Sequence, residues 1–205
     1  MIYDISIPLS PEVAGWPGDT LYNRKQIASI PAGSTVNLSA LEMSVHSGTH
    51  ADAPIHFLEG ARGAEALDLE PFIGLAYILD VSGINPIRPE HLPQEYLQSA
   101  PRLLLRTNAW PDVRIFPESV PVLAPETPSY LASNGIILLG LDIPSVDELE
   151  SKDLPIHHAL SHYNIQIIES LRLADVEVGL YELLALPLSL NGSDGAPLRA
   201  VVRTL

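Results

Sequence analysis

Residues 46–56 read HSGTHADAPIH and place His46, His50, Asp52 and His56 within eleven positions of a chain with only seven histidines. Imidazole nitrogens and carboxylate oxygens are the usual donors to zinc and its neighbours. Three readings are open. The cluster could hold metal; His56 could act as a metal-free base oriented by Asp52; or the histidines could simply line an exposed strand. The donor set favours metal.

A second cluster lies at LPIHHALSHYNIQIIES, residues 154–170. On a helix, His158 and His162 are four apart and share a face, a spacing commoner in exposed pairs than in ligands. His157 lies about 100° around the helix, on the side of Leu160. Glu169 shares strand parity with Ile165 and Ile167. A carboxylate on a buried face is costly unless it is paired or bound to metal. The plain alternative is a strand-end glutamate that reaches solvent.

These side chains must be brought together by their backbone. Gly48 and Pro54 argue against a helix over 46–56. In a strand the four donors would share one side, with Ser47, Thr49, Ala51 and Ala53 opposite. A fully extended strand would set 46 and 56 about 33 Å apart, whereas metal bonds are only ~2 Å long. The segment must therefore bend, and Gly48 and Pro54 are the places for it.

Elsewhere, apolar runs at 2–7, 36–45, 75–81, 102–107, 135–143, 165–171, 179–188 and 199–204 read as strands, separated by nineteen prolines and thirteen glycines. Three segments read as short helices. Pro89 opens the first and Pro93 shortens it. Thr127 caps the second, with Pro128 in its first turn and Asn134-Gly135 as its stop. Asp153 caps the third, and Asn164 ends it in a left-handed conformation. His91 reads as a surface helix residue, and the acids of LDIPSVD (141–147) as turn caps. Trp16 precedes the Pro17-Gly18 turn signal and would be held on a tight loop. The fold expected is α+β: a single strand-rich domain over 1–205 with few short helices.

At 205 residues, 46% hydrophobic and 18% charged, the chain can bury a sizeable core. Its net charge of −14 argues against nucleic acid and anionic membranes as partners. There is no cysteine, so disulfides and thiolate metal sites are excluded. No basic leader or membrane-length apolar run is found, and the expected location is cytoplasmic.

HSGTHADAPIHF closely resembles the H-x-G-x-H-x-D-x-P-x-H motif of the cyclase superfamily of metal-dependent hydrolases. WPGD (16–19), YELLALPL (181–188) and GSDGAPLRAVVR (192–203) further resemble the bacterial kynurenine formamidases, in order and with similar spacing across the chain. The resemblance implies a mixed sheet with a barrel-like core, of the swivelling β/β/α type. It implies two zinc ions per subunit, with manganese as an alternative. His46, His50 and Asp52 would bind the first, and Asp52 would bridge to the second. His157 and Glu169, twelve residues apart, would complete the site, with neighbouring His158 as the competing alignment. His56 would be the proton donor and acceptor, and Trp16 would contact the aromatic substrate.

The implied reaction is hydrolysis of N-formyl-L-kynurenine to L-kynurenine and formate, a step of tryptophan breakdown. The implied partner is a small aromatic formamide, and the implied assembly is a homodimer or larger. Two alternatives stand beside it: a related cyclic-amide hydrolase such as an isatin hydrolase, and a metal-binding protein without turnover. His56 speaks against the latter, because a structural site needs no histidine beyond its ligands.

Overall fold

The computed structural model describes residues 1–205. In chain order the strands are β1 (Ile2–Asp4), β2 (Asn23–Ala28), β3 (Leu38–Glu42), β4 (His50–Asp52), β5 (Ile73–Asp80), β6 (Arg102–Arg106), β7 (Leu138–Leu141), β8 (Gln166–Glu169), β9 (Gly179–Leu184), β10 (Gly195–Pro197) and β11 (Val201–Thr204). The helices are α1 (Gln94–Leu97), α2 (Thr127–Ser133) and α3 (Pro155–His162). Nine strands form one sheet in the order β1-β11-β9-β5-β6-β7-β8-β4-β10, while β2 and β3 pair only with each other. The neighbours from β5 to β8 are parallel and the flanking pairs antiparallel.

The sheet curls upon itself. Ile5, just past β1, accepts from Arg172 N and donates to Ala200 O, and Ser6 bridges Leu171 beyond β8. The result is a strand-rich half-barrel with three helices, the α+β class expected. Strands β6 to β8 bury both faces, which explains their continuous apolar runs. Leu104, Leu138 and Ile168 point into the curl with Ile5, Phe72 and Leu183. Leu103, Leu105, Leu139, Leu141 and Ile167 point the other way, against Leu131 of α2 and Ile156 and Leu160 of α3. No helix is long and apolar enough to cross a membrane.

Two helix caps differ from expectation. Thr127 is the first residue of α2 rather than its cap, and its hydroxyl donates to Ile87 O at 2.9 Å. Asp153 does not cap α3. Leu154 intervenes in a left-handed conformation (φ 41°), and the carboxylate at the helix start is Asp147, which accepts from Ile156 N at 3.0 Å and His157 N at 3.1 Å. Asn164 ends α3 at φ 57°, as its residue type suggests. His91 sits half-buried in a 3₁₀ turn, where Nδ1 accepts from Arg88 N.

Candidate metal centre

The bent segment is built as its spacing requires. Gly48 turns at φ +62°, and its carbonyl accepts from His50 Nδ1 at 2.8 Å. Strand β4 then sets His50 and Asp52 on one side, and Pro54 opens a 3₁₀ turn that ends in His56. Ala51 and Ala53, on the other side, are wholly buried. Thr49 bolts three segments together: its hydroxyl donates to Ser170 O at 2.5 Å and accepts from Ile7 N at 2.8 Å. In the β4–β8 ladder His50 lies directly opposite Glu169, so their side chains share a face.

Asp52 and Glu169 each divide their two oxygens. Asp52 Oδ1 lies 3.2 Å from His46 Nδ1 and 3.4 Å from His50 Nε2; Oδ2 lies 3.4 Å from His157 Nε2. Glu169 Oε2 lies 3.6 Å from His50 Nε2, and Oε1 lies 3.6 Å from His157 Nε2. Two nests of donors thus share both carboxylates. The outer nitrogens are held from behind: His50 Nδ1 by Gly48 O, and His157 Nδ1 by Asp147 Oδ2 at 2.7 Å. Metal-binding histidines are oriented by such partners. Val146 N donates to Glu169 Oε1 at 2.9 Å.

Asp52 and Glu169 are 5% and 4% exposed, far too little for a solvated pair of acids. His50 Nε2 and both Asp52 carboxylate oxygens are buried without a hydrogen-bond partner. Leaving such atoms unsatisfied costs about 1–3 kcal/mol each, and a divalent cation among them would remove that cost. The all-nitrogen-and-oxygen set fits zinc and also admits manganese.

Charge in the metal-free centre follows the same contacts. Burial opposes charge on His46 and His157, yet the acids prevail: Asp52 and Asp194 hold His46 at about 9, and Asp147 with Asp52 holds His157 at about 10. Burial and then the charge of Asp52 push Glu169 well above the usual carboxylate range. Burial also disfavours charge on Asp52, but the imidazoles of His157, His46 and His50 at 3.2–3.4 Å outweigh it and hold the carboxyl well below the usual carboxylate range. His56 is lowered, chiefly by burial.

His157 points inward and is 3% exposed, whereas His158 and His162 are exposed. His56 stands apart from the deepest donors: its side chain is 33% exposed against 2% for His50. It remains close enough to group with His46 and Asp52 around one point. A cavity of about 300 Å³ opens over these residues and is walled by Trp16, Trp110 and Phe116. Trp16 meets Phe116 edge-on at 5.1 Å, and Trp110 meets Phe116 at 6.3 Å.

Sequence reasoning missed Asp194, Asp147 as a histidine partner, and the pair Trp110 and Phe116. Trp110 did carry a signal, since it precedes a proline as Trp16 does. Asp194 Oδ2 accepts from His46 Nε2 at 2.9 Å, a contact that no local spacing announces.

The cyclase family model matches residues 3–148. The chain is 42% identical to a kynurenine formamidase of Bacillus cytotoxicus, over 98% of this chain and 97% of that one. It is 43% identical to a kynurenine formamidase of Bacillus cereus over the same shares. Among solved structures, a "predicted metal-dependent hydrolase" from Bacillus stearothermophilus superposes with a TM-score of 0.78 at 27% identity, covering 98% and 97% of the two chains. Isatin hydrolase A from Labrenzia aggregata superposes with a TM-score of 0.82 at 21% identity, covering 98% and 93%. That identity is low enough for the likeness to concern fold alone.

Proposed function

The chain belongs to the cyclase family, and from that premise we propose that it is a metal-dependent amide hydrolase converting N-formyl-L-kynurenine and water to L-kynurenine and formate. The observation that carries the substrate is the 42% identity to a kynurenine formamidase across nearly the whole chain. The centre supplies the chemistry.

His46, His50, Asp52, His157 and Glu169 would hold two divalent ions, zinc by preference. Metal held there supplies Lewis acidity, which brings the ionisation of water toward neutral pH. Trp16 and its aromatic neighbours offer apolar ring surface to the aryl ring and exclude water beside it. His56, outside the deepest nest and facing the cavity, would give a proton to the departing arylamine nitrogen as the C–N bond breaks. Burial keeps its imidazole neutral near pH 7, so it can first accept a proton from the attacking water.

The proposal includes a homodimer or larger assembly, supported by the hairpin β2–β3, neither strand of which buries a residue. It also includes one domain over 1–205, supported by the pairing of β1 with β11 from opposite ends of the chain. A cytoplasmic location completes it, and a fold without cysteine has no need of an oxidising compartment.

The deciding experiment is metal analysis of purified protein beside turnover of N-formyl-L-kynurenine and isatin. The expected result is bound divalent metal with formate release from the formamide. Turnover of isatin alone would overturn the substrate. His56→Ala should retain metal while kcat falls ~10²–10⁴-fold, whereas Asp52→Ala should lose metal first. Equal metal loss in both would make His56 a ligand.

A further inference from the structure

Asp194 has no task in the proposal above, yet the fold goes to some length to fix it. The loop before β10 is pinned at three points: Ala53 N donates to Asp194 O at 2.9 Å, Ala64 N to Ser193 O at 2.9 Å, and Gly192 N to Glu65 Oε2 at 2.8 Å. The next residue, Gly195, pairs with Asp52 in the β4–β10 ladder. A Cβ at Gly195 would come within 2.8 Å of the His46 ring, so the backbone here lies hard against the centre. A side chain that is 52% exposed is thereby set in place by its main chain.

The position it takes is specific. One oxygen, Oδ2, accepts from His46 Nε2 at 2.9 Å and lies 3.6 Å from His56 Nδ1. The His46 and His56 rings are 4.2 Å apart between centroids. A separation of 3.6 Å is ion-pair reach rather than a formed hydrogen bond, and a small side-chain rotation would close it. With its Nδ1 edge turned to Asp194, His56 has Nε2 left to meet a substrate in the cavity that it lines.

We infer that Asp194 is a positioning residue for His56, orienting the imidazole through Nδ1 so that Nε2 exchanges protons with the reacting amide. This rests on the reading of His56 as proton donor. The hydrogen bond made by one ring nitrogen sets which nitrogen of a histidine carries the proton, so the effect of such a carboxylate passes through the ring that it holds.

The test is a double-mutant cycle in metal-loaded protein, read as kcat, KM, metal content and melting temperature on N-formyl-L-kynurenine. Asp194→Ala and Asp194→Asn should lower kcat by no more than the ~10²–10⁴-fold expected for loss of His56 itself, with KM, metal content and melting temperature near wild type. Asp194→Glu should recover part of the loss. In a His56→Ala background, Asp194→Ala should cost nothing further, because the two changes share one route. Full additivity would overturn the inference. So would metal loss in step with activity, since Asp194 would then serve His46. If His56→Ala is slow and Asp194→Ala is not, only the role of Asp194 falls; if His56→Ala is itself harmless, the proton-donor reading falls first.

Discussion

At the scale of single residues, the two adjacent histidines of α3 give the sharpest contrast. His157 points inward toward Asp52 and Glu169, and His158 faces solvent. His157→Ala should therefore lower metal content and activity together, while His158→Ala should change neither appreciably; metal analysis of both variants checks this. The protonation of the centre makes a second prediction. In metal-free protein His46 titrates at about 9 and His157 at about 10, both above the ordinary histidine value of 6.5. Raised folded-state values mean that their contribution to stability is full below about 6.5 and is lost as pH rises through 9 and 10. Chelated protein should lose melting temperature between about pH 7 and 10, and metal-loaded protein should not follow it, because metal replaces the protons. Parallel melting curves across that range would contradict this. The motif residues were legible because five of the side chains around the centre come from two short stretches whose types suit metal. Asp194 was not, because it reaches His46 from 148 residues away, and Asp147, ten residues before His157, carries no spacing that marks it as more than a turn cap. Only the folded chain brings them together.

At the scale of elements, β5 to β9 were legible because burial on both faces, or on alternate positions, writes apolar runs into the sequence. Strands β4 and β10 were not. His-Ala-Asp and Gly-Ala-Pro have the composition of turns, and they are strands because β8 and β4 offer them hydrogen-bonding edges. Pro197 is tolerated because β10 is the outermost strand of the sheet. Strand β2 was missed for another reason: Asn23–Ala28 is polar and exposed, so no alternation marks it. The cap of α3 turns this into a prediction. Asp147 holds both the first turn of the helix and the ring of His157, whereas exposed Asp153 holds neither. Asp147→Ala should cost about 0.5–2 kcal/mol of stability through the cap and ~10–100-fold in metal affinity through the histidine. Asp153→Ala should do neither. Denaturant melts and metal titrations of the two variants decide it, and similar behaviour would return the cap to Asp153.

At the scale of the whole molecule, the feature left to explain is the hairpin β2–β3, which pairs with nothing but itself. Leu21, Ile27, Ile30, Val36, Leu38 and Leu41 are each more than half exposed, and an isolated two-stranded hairpin is marginal in water. Burying one such side chain is worth ~1.5–3 kcal/mol, so six together rival the ~4–15 kcal/mol that association costs. Two copies that each carry −14 repel one another, but this arm carries Arg24 and Lys25 against Glu42 alone and presents its less acidic side. Leu38 and Leu41 differ in strand parity and so face opposite ways. A flat contact would cover only one of them, whereas an arm embraced by a second copy covers both. Light scattering at micromolar protein should therefore give a dimer or larger, and Leu38→Asp and Leu41→Asp should each shift the mass toward monomer. A monomeric wild type would remove the assembly altogether. If only one substitution mattered, the contact would be one-sided, and the other face of the arm would stay in water.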